Sequence, residues 1–254
     1  MRPRLVAANW KMNGSFDMLR RYVEGLDLSP VRLDDVDVVL CPPSVYVADL
    51  VRTLGDATRV ACGGQDVGIQ LSGAHTGELA AEMLADAGAR WVIVGHSERR
   101  IEQAEQDDLV AAKATAGLRG GLRPIICVGE TLAEREGGLA FTVVARQLEA
   151  VVEQVDLAGL AKGAIAYEPV WAIGTGKTAS AAQAQEMHAF IRDKLARIDA
   201  DVAAQMRIVY GGSVKAENAA ELFDQADIDG GLIGGAGLDP RVFTEIVKIA
   251  ARDR

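Results

Sequence analysis

The sequence alternates short apolar segments with amphipathic ones eight times, and this alternation constrains the fold more than any other feature. The apolar segments are nearly continuous in apolar character, as expected of strands that are buried on both faces of a sheet. They lie at residues 5–10, 36–41, 59–64, 91–96, 124–129, 164–169, 207–212 and 231–236. Strands that alternate with helices pair in parallel through right-handed crossovers. Eight such units predict an α/β protein with a single closed (β/α)8 barrel, in which residues 1–254 form one domain.

Three local patterns predict helix boundaries. Residues 131–134 and 180–183 each carry a capping-box pattern, and the first of them predicts a helix that continues through Val155. Gly88 follows a short amphipathic segment and is predicted to end that helix.

Composition and charge narrow the class of partner. The formal net charge of −9 argues against nucleic acid or an anionic membrane surface, but it leaves room for a small anionic substrate held by a few local donors. The three cysteines show no CxxC spacing, which indicates buried reduced thiols, and the three histidines are not at ligand spacing, so no metal site is expected. These residues are Cys41, Cys62, Cys127, His75, His96 and His188. The short apolar run at the start fits a first strand rather than a signal peptide, so we expect a cytoplasmic protein.

Polar residues follow three of the predicted strands, where barrels of this kind carry their functional groups. Lys11 follows the first strand between two asparagines, Asn9 and Asn13, which suggests an anion site. His96 ends the fourth strand before Ser97, which is predicted to cap a helical turn; amides there would favour a neutral imidazole that donates a hydrogen bond. Glu168 precedes a proline, which biases it to an extended conformation at the sixth strand's tip.

The segment after Glu168 raises two interpretations. Its Gly-Lys-Thr at 176–178 is similar to the end of a phosphate-binding P-loop, but the glycine that this pattern needs five residues earlier is Trp171, so a P-loop is excluded. Trp171 and Ile173 would be costly in an exposed loop unless they cover something, which predicts a lid with a hinge at each end.

Glycine pairs follow the seventh and eighth predicted strands, at 211–212 and 234–235. Glycine pairs can be plain turns, but in this fold the loops at these two places commonly hold phosphate through backbone amides. Together with Gly174 of the lid they favour a phosphate site. The GxGxxG pattern of dinucleotide-binding proteins does not fit the glycines at 235 and 237, because Pro240 stands where its last glycine would be.

Five motifs together resemble the triosephosphate isomerase family over essentially the full length of the chain. They are ANWKMN at 8–13, GHSERR at 95–100, AYEPVWAIGTGK at 166–177, YGGS at 210–213 and GGA at 234–236. The resemblance implies a TIM barrel that interconverts dihydroxyacetone phosphate and D-glyceraldehyde 3-phosphate, in glycolysis and gluconeogenesis, by proton transfer through an enediolate.

The resemblance also implies a role for each matching residue, as is known for this family. Glu168 would be the base, neutral His96 the electrophile, Lys11 the cation beside the developing negative charge, and Asn9 would position the substrate. The side chains of Ile173 and Leu232 would place apolar surface beside this base. Phosphate would be held by Asn9, Lys11, Gly174, Ser213, Gly234 and Gly235. The lid would be Pro169, Val170, Trp171, Ala172, Ile173, Gly174, Thr175, Gly176 and Lys177.

The family acts without a cofactor and normally as a homodimer, in which a loop after the third strand reaches the neighbouring site. Thr76 would be the tip of that loop, near the partner's Lys11. The sequence departs from the family's usual residues at Asp66, His75 and Gly237, where asparagine, an aromatic residue and serine are common. It also lacks the usual aromatic residue after Arg100. None of these positions is catalytic.

Two alternatives remain open at this point. One is a related isomerase of a four-carbon ketose phosphate. The other is a non-catalytic phosphate-binding barrel, which would be expected to have lost at least one of Lys11, His96 or Glu168, and all three are present.

Overall fold

Eight parallel strands close into a barrel in chain order, each pairing with the next and β8 pairing with β1. The computed structural model describes residues 2–29, 31, 34–55, 59–173 and 178–252. The strands are β1 Arg4–Asn9, β2 Val36–Cys41, β3 Val60–Gly64, β4 Trp91–Val94, β5 Arg123–Val128, β6 Ala164–Tyr167, β7 Arg207–Tyr210 and β8 Gly230–Ile233. The predicted (β/α)8 barrel is confirmed.

Helices cover the outside of the barrel between the strands. They are α1 Phe16–Gly25, α2 Val47–Leu54, α3 Ala81–Asp86, α4 Ser97–Glu102, α5 Asp107–Arg119, α6 Leu132–Glu136, α7 Ala140–Gln154, α8 Leu157–Leu160, α9 Ala181–Ala196, α10 Ala200–Gln205, α11 Ala216–Phe223 and α12 Pro240–Ala250. Three single 3₁₀ turns accompany them at Ser44–Tyr46, Val170–Ala172 and Gly235–Leu238. Within the described residues, no helix is long and apolar enough to cross a membrane. That the chain is one domain stays a prediction.

The later strands end before the predicted boundaries, and this places the polar residues in loops. β4 ends at Val94 because Gly95 has a φ of 67°, which lies outside the β region. β6 ends at Tyr167, although the amide of Glu168 still donates to the carbonyl of Val128 at 2.8 Å. His96 and Glu168 therefore stand just beyond their strands rather than within them.

The predicted helix from residue 131 through Val155 is wrong as a single element. It is two helices, α6 and α7, because Gly138 has a φ of 73° and ends the first of them. Both predicted capping boxes are confirmed, at Thr131 and at Ser180. Gly88, with a φ of 94°, follows the end of α3 as expected of a glycine that terminates a helix.

Alternate residues of the strands face two layers of the core. In β1, Leu5 and Ala7 face the barrel interior together with Trp91, whereas Val6 and Ala8 pack against the surrounding helices. This alternation explains why the strands are apolar along their whole length. The barrel interior is therefore filled with side chains, and cavities open at its two ends.

The cysteines are free and buried, as predicted. Burial raises the pKa of the Cys62 thiol to about 12 and raises the pKa values of Cys41 and Cys127 as well. All three thiols therefore stay protonated near neutral pH, where a thiol is a poor nucleophile.

Candidate active site

A cavity of about 460 Å³ opens at the carboxyl ends of the strands. Its walls come from the loops after β1, β4, β6, β7 and β8. The structure brings together here most of the residues that the sequence singled out, namely Asn9, Lys11, His96, Glu168, Ala172, Ile173, Ser213, Leu232, Gly234 and Gly235. Gly174, Thr175, Gly176 and Lys177 of the predicted lid lie outside the described residues. Thr76 is exposed and does not line this cavity.

His96 is fixed by the start of α4. It is itself the N-cap residue, and its Nδ1 accepts a hydrogen bond from the amide of Glu98 at 3.2 Å. The expectation that Ser97 caps this helix is therefore wrong. Because Nδ1 accepts here, a neutral imidazole in this geometry carries its proton on Nε2.

Glu168 is buried, with 2% of its surface exposed. Its Oε2 accepts a hydrogen bond from the amide of Ser97 at 2.8 Å. Its Oε1 lies 3.0 Å from Nε2 of His96, but the two are not aligned for a hydrogen bond, and Oε1 is buried without a partner. An unpartnered buried carboxylate oxygen beside an imidazole is a group suited to accept a proton.

Glycine is required where neighbouring strands approach Glu168. A Cβ at Gly129 would lie 1.8 Å from the carbonyl oxygen of Glu168, and a Cβ at Gly211 would lie 2.8 Å from its Cγ. No side chain fits at the first position without moving the backbone. The two glycines, just after β5 and β7, thus let the chain approach the backbone of Glu168 on one side and its side chain on the other.

Lys11 has a left-handed backbone, with a φ of 50°. This conformation is costly for a lysine and is held by neighbours: Gln65 Nε2 donates to the Lys11 carbonyl, and Asn9 Oδ1 accepts from the Lys11 amide, both at 2.9 Å. Lys11 Nζ lies 2.6 Å from Oε1 of Glu98. Strain held by specific partners is common at functional sites, and here it directs an ammonium into the cavity.

The ion pairs around α4 differ from the simplest expectation. An ion pair between the neighbours Glu98 and Arg99 would be the simplest arrangement, but Glu98 pairs with Lys11, and Arg99 pairs with Asp66 and Glu105. Adjacent residues of a helix point in different directions, so Glu98 reaches Lys11 while Arg99 reaches Asp66 and Glu105.

Part of the cavity wall is rich in glycine. Ser213, Gly234 and Gly235 line it, and no atom lies within 4 Å of the place where a Cβ of Gly235 would stand. The side chain of Asn218 holds the turn by accepting from the Lys215 amide at 2.8 Å and donating to the Ser213 carbonyl at 3.1 Å. Sequence reasoning missed Lys215, which also lines the cavity; its position two residues after Ser213, before α11, was the available signal.

A buried carboxylate anchors the 3₁₀ turn that begins the predicted lid. Oε1 of Glu130 accepts from Nε1 of Trp171 at 2.8 Å, from the Tyr167 hydroxyl at 3.1 Å and from Arg135 at 3.0 Å. The Arg135 guanidinium also lies 4.7 Å from the centre of the Trp171 ring. Trp171 is therefore held by specific bonds. Sequence reasoning missed Glu130, whose only signal was a carboxylate directly after the fifth strand.

A second groove adjoins the candidate active site and shares Lys11 and His96 with it. Its volume is about 390 Å³, and Gln65, Asp66 and Glu98 also line it. Two exposed apolar side chains lie at or next to residues that line this groove: Met12 is 96% exposed and Val45 is 72% exposed. Among the described residues, no cluster of histidine, cysteine and carboxylate side chains could hold a metal ion.

Comparison with known proteins gives a consistent result. The Triosephosphate isomerase family model matches residues 4–250. The chain is 54% identical over 253 residues to the triosephosphate isomerase of Alkalilimnicola ehrlichii, covering 98% of this chain and 99% of that protein. It is 54% identical over 252 residues to that of Thiobacillus denitrificans, covering 99% and 100%, and 51% identical over 251 residues to that of Stenotrophomonas maltophilia, covering 99% of each. With its barrel and the contents of its cavity, the chain belongs to the triosephosphate isomerase family.

Proposed function

We propose that the chain interconverts dihydroxyacetone phosphate and D-glyceraldehyde 3-phosphate. The observation that carries this proposal is the placement of Glu168 Oε1 at 3.0 Å from His96 Nε2, in a cavity that is also lined by Ser213, Gly234 and Gly235. A carboxylate and an imidazole side by side can serve two adjacent carbons of one substrate, while the glycine-rich part of the wall takes its phosphate.

The chemistry follows from these positions. Glu168 removes a proton from the hydroxymethyl carbon of the ketone, and the electron pair left behind forms an enediolate with the neighbouring carbonyl. The proton on His96 Nε2 hydrogen-bonds the oxygen that becomes negative, and the Lys11 ammonium stabilises the same charge. Glu168 then returns the proton to the adjacent carbon, which yields the aldehyde. The hydroxyl proton on the first carbon also passes, by way of His96, to the oxygen of the second carbon, so the overall reaction moves one proton between carbons and one between oxygens and consumes no oxidant or reductant.

The lid contributes by excluding water. Ala172 and Ile173 line the cavity, and the Trp171 turn is fixed to buried Glu130. An enediolate phosphate in water would lose its phosphate, so a dry cavity protects the intermediate and strengthens the hydrogen bonds to it. The roles of Gly174 to Lys177 in this lid, and of the Gly174 amide as a phosphate donor, remain proposals from the sequence.

The replacement Glu168→Gln tests the proposal. It keeps the size of the side chain and removes the base, so kcat should fall by about 10²- to 10⁴-fold in a coupled assay for either triose phosphate. Glu153→Gln, on the exposed face of α7, makes the same chemical change away from the cavity and should leave kcat unaltered.

Full turnover by Glu168→Gln would overturn the assignment of the base. A wild-type chain that bound a phosphoglycolate-type mimic of the intermediate without turning over either triose phosphate would instead indicate the non-catalytic barrel. A higher kcat/KM for a four-carbon ketose phosphate than for the triose would indicate the related isomerase.

We also propose a homodimer, working in the cytoplasm without a cofactor. The exposed loop that carries Thr76 projects beyond β3, and the groove that reaches Lys11 and Gln65 offers a place for the same loop of a second copy. The exposed Met12 and Val45 would then be covered, as large bare apolar side chains in a self-complementary interface usually are.

A bulky charge at the loop tip tests the dimer. Thr76→Arg should lower the sedimentation-derived mass by about half and lower kcat, because a buried unpaired guanidinium is costly in an interface. Thr142→Arg, the same change on the exposed face of α7, should stay dimeric. A wild-type chain that sediments as a monomer at every concentration would contradict the proposal.

A further inference from the structure

A second cavity, of about 550 Å³, opens at the end of the barrel opposite to the candidate active site. Its walls include the first residues of β5 and β7, Arg123 and Arg207, together with Asp37 of β2. Because all eight strands are parallel, these amino-terminal ends meet at one mouth of the barrel. None of the residues that line this mouth lines the candidate active site or the groove beside it.

The charge of this mouth is opposite to that of the chain. Four cationic side chains, Arg2, Arg123, Lys162 and Arg207, line it with the single carboxylate of Asp37. The whole chain carries a formal net charge of −9. A concentration of positive charge in a concave site of an acidic protein produces a local field that attracts anions.

A tryptophan fixes two of the guanidinium groups. Trp91 is buried in the barrel interior, and the Cζ atoms of Arg207 and Arg123 lie 4.9 and 5.5 Å from the centre of its ring. Arg123 is also in register with Trp91 between neighbouring strands. These cation–π contacts hold both groups in place, so an anion would bind them with little further loss of side-chain freedom.

The cations are incompletely neutralised. Arg207 donates to Asp37 and to the carbonyls of Lys162 and Gly163, and Arg2 pairs with Asp229. Among the described residues, the side chains of Arg123 and Lys162 form no ion pair, and both are exposed at the mouth. Burial and the nearby Arg123 lower the pKa of Arg207, as expected where cations are crowded together.

We propose that this mouth binds a small anion with two phosphoryl groups, of the class of pyrophosphate and organic diphosphates. Guanidinium groups match the geometry of phosphoryl oxygens, and with Arg207 paired to Asp37 and Arg2 to Asp229, Arg123 and Lys162 remain as two unpaired cations, one for each phosphoryl group. Because the two ends of the barrel share no lining residue, this ligand and a triose phosphate can be bound at the same time.

Calorimetric titration of the full chain with pyrophosphate tests the proposal. The candidate active site is first saturated with a phosphoglycolate-type mimic, and ionic strength is held constant in metal-free buffer. We expect one further binding event, and the double variant Arg123→Gln/Lys162→Gln should weaken its Kd by at least about tenfold, because two exposed cations are lost from the site. Inorganic phosphate should bind more weakly than pyrophosphate, and a nucleoside diphosphate shows whether an organic diphosphate fits.

The control removes the same charge elsewhere. Arg20→Gln/Arg21→Gln takes two positive charges from the exposed face of α1 and should keep the wild-type Kd for pyrophosphate. Equal Kd values in the wild type and in Arg123→Gln/Lys162→Gln would overturn the proposal. So would loss of pyrophosphate binding once the mimic occupies the candidate active site. Neither result would bear on the proposed isomerase activity, which is measured separately by turnover.

Discussion

Gly237 and Ala8 occupy one tightly packed place between β8 and β1. A Cβ added at Gly237 would lie 2.9 Å from Cβ of Ala8 and 3.3 Å from its Cα. Both residues are buried, so neither can move toward solvent. The serine that is usual in the family at this position would not fit beside an alanine, and the departure at Gly237 is thus explained by its neighbour.

Gly237→Ser should therefore destabilise the chain. Overpacking a buried site costs about 1–3 kcal/mol, measured as a loss in the free energy of unfolding in urea. Adding Ala8→Gly should recover a large part of that loss, although glycine in a strand itself costs about 0.5–1 kcal/mol. If the double variant is less stable than Gly237→Ser by the full cost of Ala8→Gly alone, the two positions are not coupled.

At the scale of one element, the start of α11 combines two features that favour anions. The turn before it is held by Asn218, and Lys215 projects at the rim of the cavity that Ser213 lines. Lys215 forms no ion pair among the described residues. A free ammonium at the entrance of a cavity in an acidic protein can attract an anionic substrate over several ångströms.

Lys215→Gln should lower kcat/KM for the triose phosphate by roughly threefold to tenfold at low ionic strength and by less in high salt, with little change in kcat. Steady-state assays across a salt series measure this. Lys194→Gln makes the same change of charge on α9, away from the cavity, and gives the reference dependence of kcat/KM on salt concentration. If kcat/KM depends on salt in the same way in both variants, Lys215 does not attract the substrate.

At the scale of the whole molecule, His188 links α9 to the barrel. Its ring contacts those of Tyr167 and Tyr210, at 5.8 and 6.3 Å between centres, and its Nδ1–H donates to the Asp227 carbonyl at 3.1 Å. Its Nε2 is buried without a partner. Burial, and to a smaller extent Arg192, lower the pKa of His188 from 6.5 to about 4, against the opposing pull of Asp227 and Asp229.

This shift makes the stability of the fold depend on pH. The unfolded chain binds a proton at His188 below pH 6.5 while the folded chain does not until about pH 4, so unfolding becomes easier as pH falls between these values. The loss amounts to roughly 3 kcal/mol at most, since one pKa unit corresponds to about 1.4 kcal/mol.

His188→Asn keeps a donor toward the Asp227 carbonyl and removes the titration, so its free energy of unfolding should fall less steeply with pH over this window. Urea unfolding at a fixed protein concentration, at several pH values from 4 to 7, measures the difference. His75→Asn, at an exposed histidine, should follow the wild-type curve. Parallel curves for the wild type and His188→Asn would refute the linkage.

The candidate site was partly readable from sequence. Asn9, Lys11, His96 and Glu168 could be placed together because each stands at or just after the end of a strand, and the carboxyl ends of parallel strands meet at one face of the barrel. Glu130 and Gln65 could not be identified because they act through contacts with residues distant in the chain, and Lys215 because a lysine before a helix is common on any surface. Their residue types alone, a carboxylate, an amide and an ammonium in loops, do not distinguish them from ordinary surface residues.

The sequence by itself determined the eightfold alternation, the two capping boxes and the exclusion of a P-loop, since periodicity, caps and short motifs depend on neighbouring residues. Only the tertiary structure decided which groups meet. It pairs Lys11 with Glu98 across 87 residues and the Ser97 amide with Glu168 across 71, and it gathers Arg123 and Arg207 beneath Trp91. Such pairings depend on closure of the barrel and on strand register, which bring distant residues into contact and which no local pattern encodes.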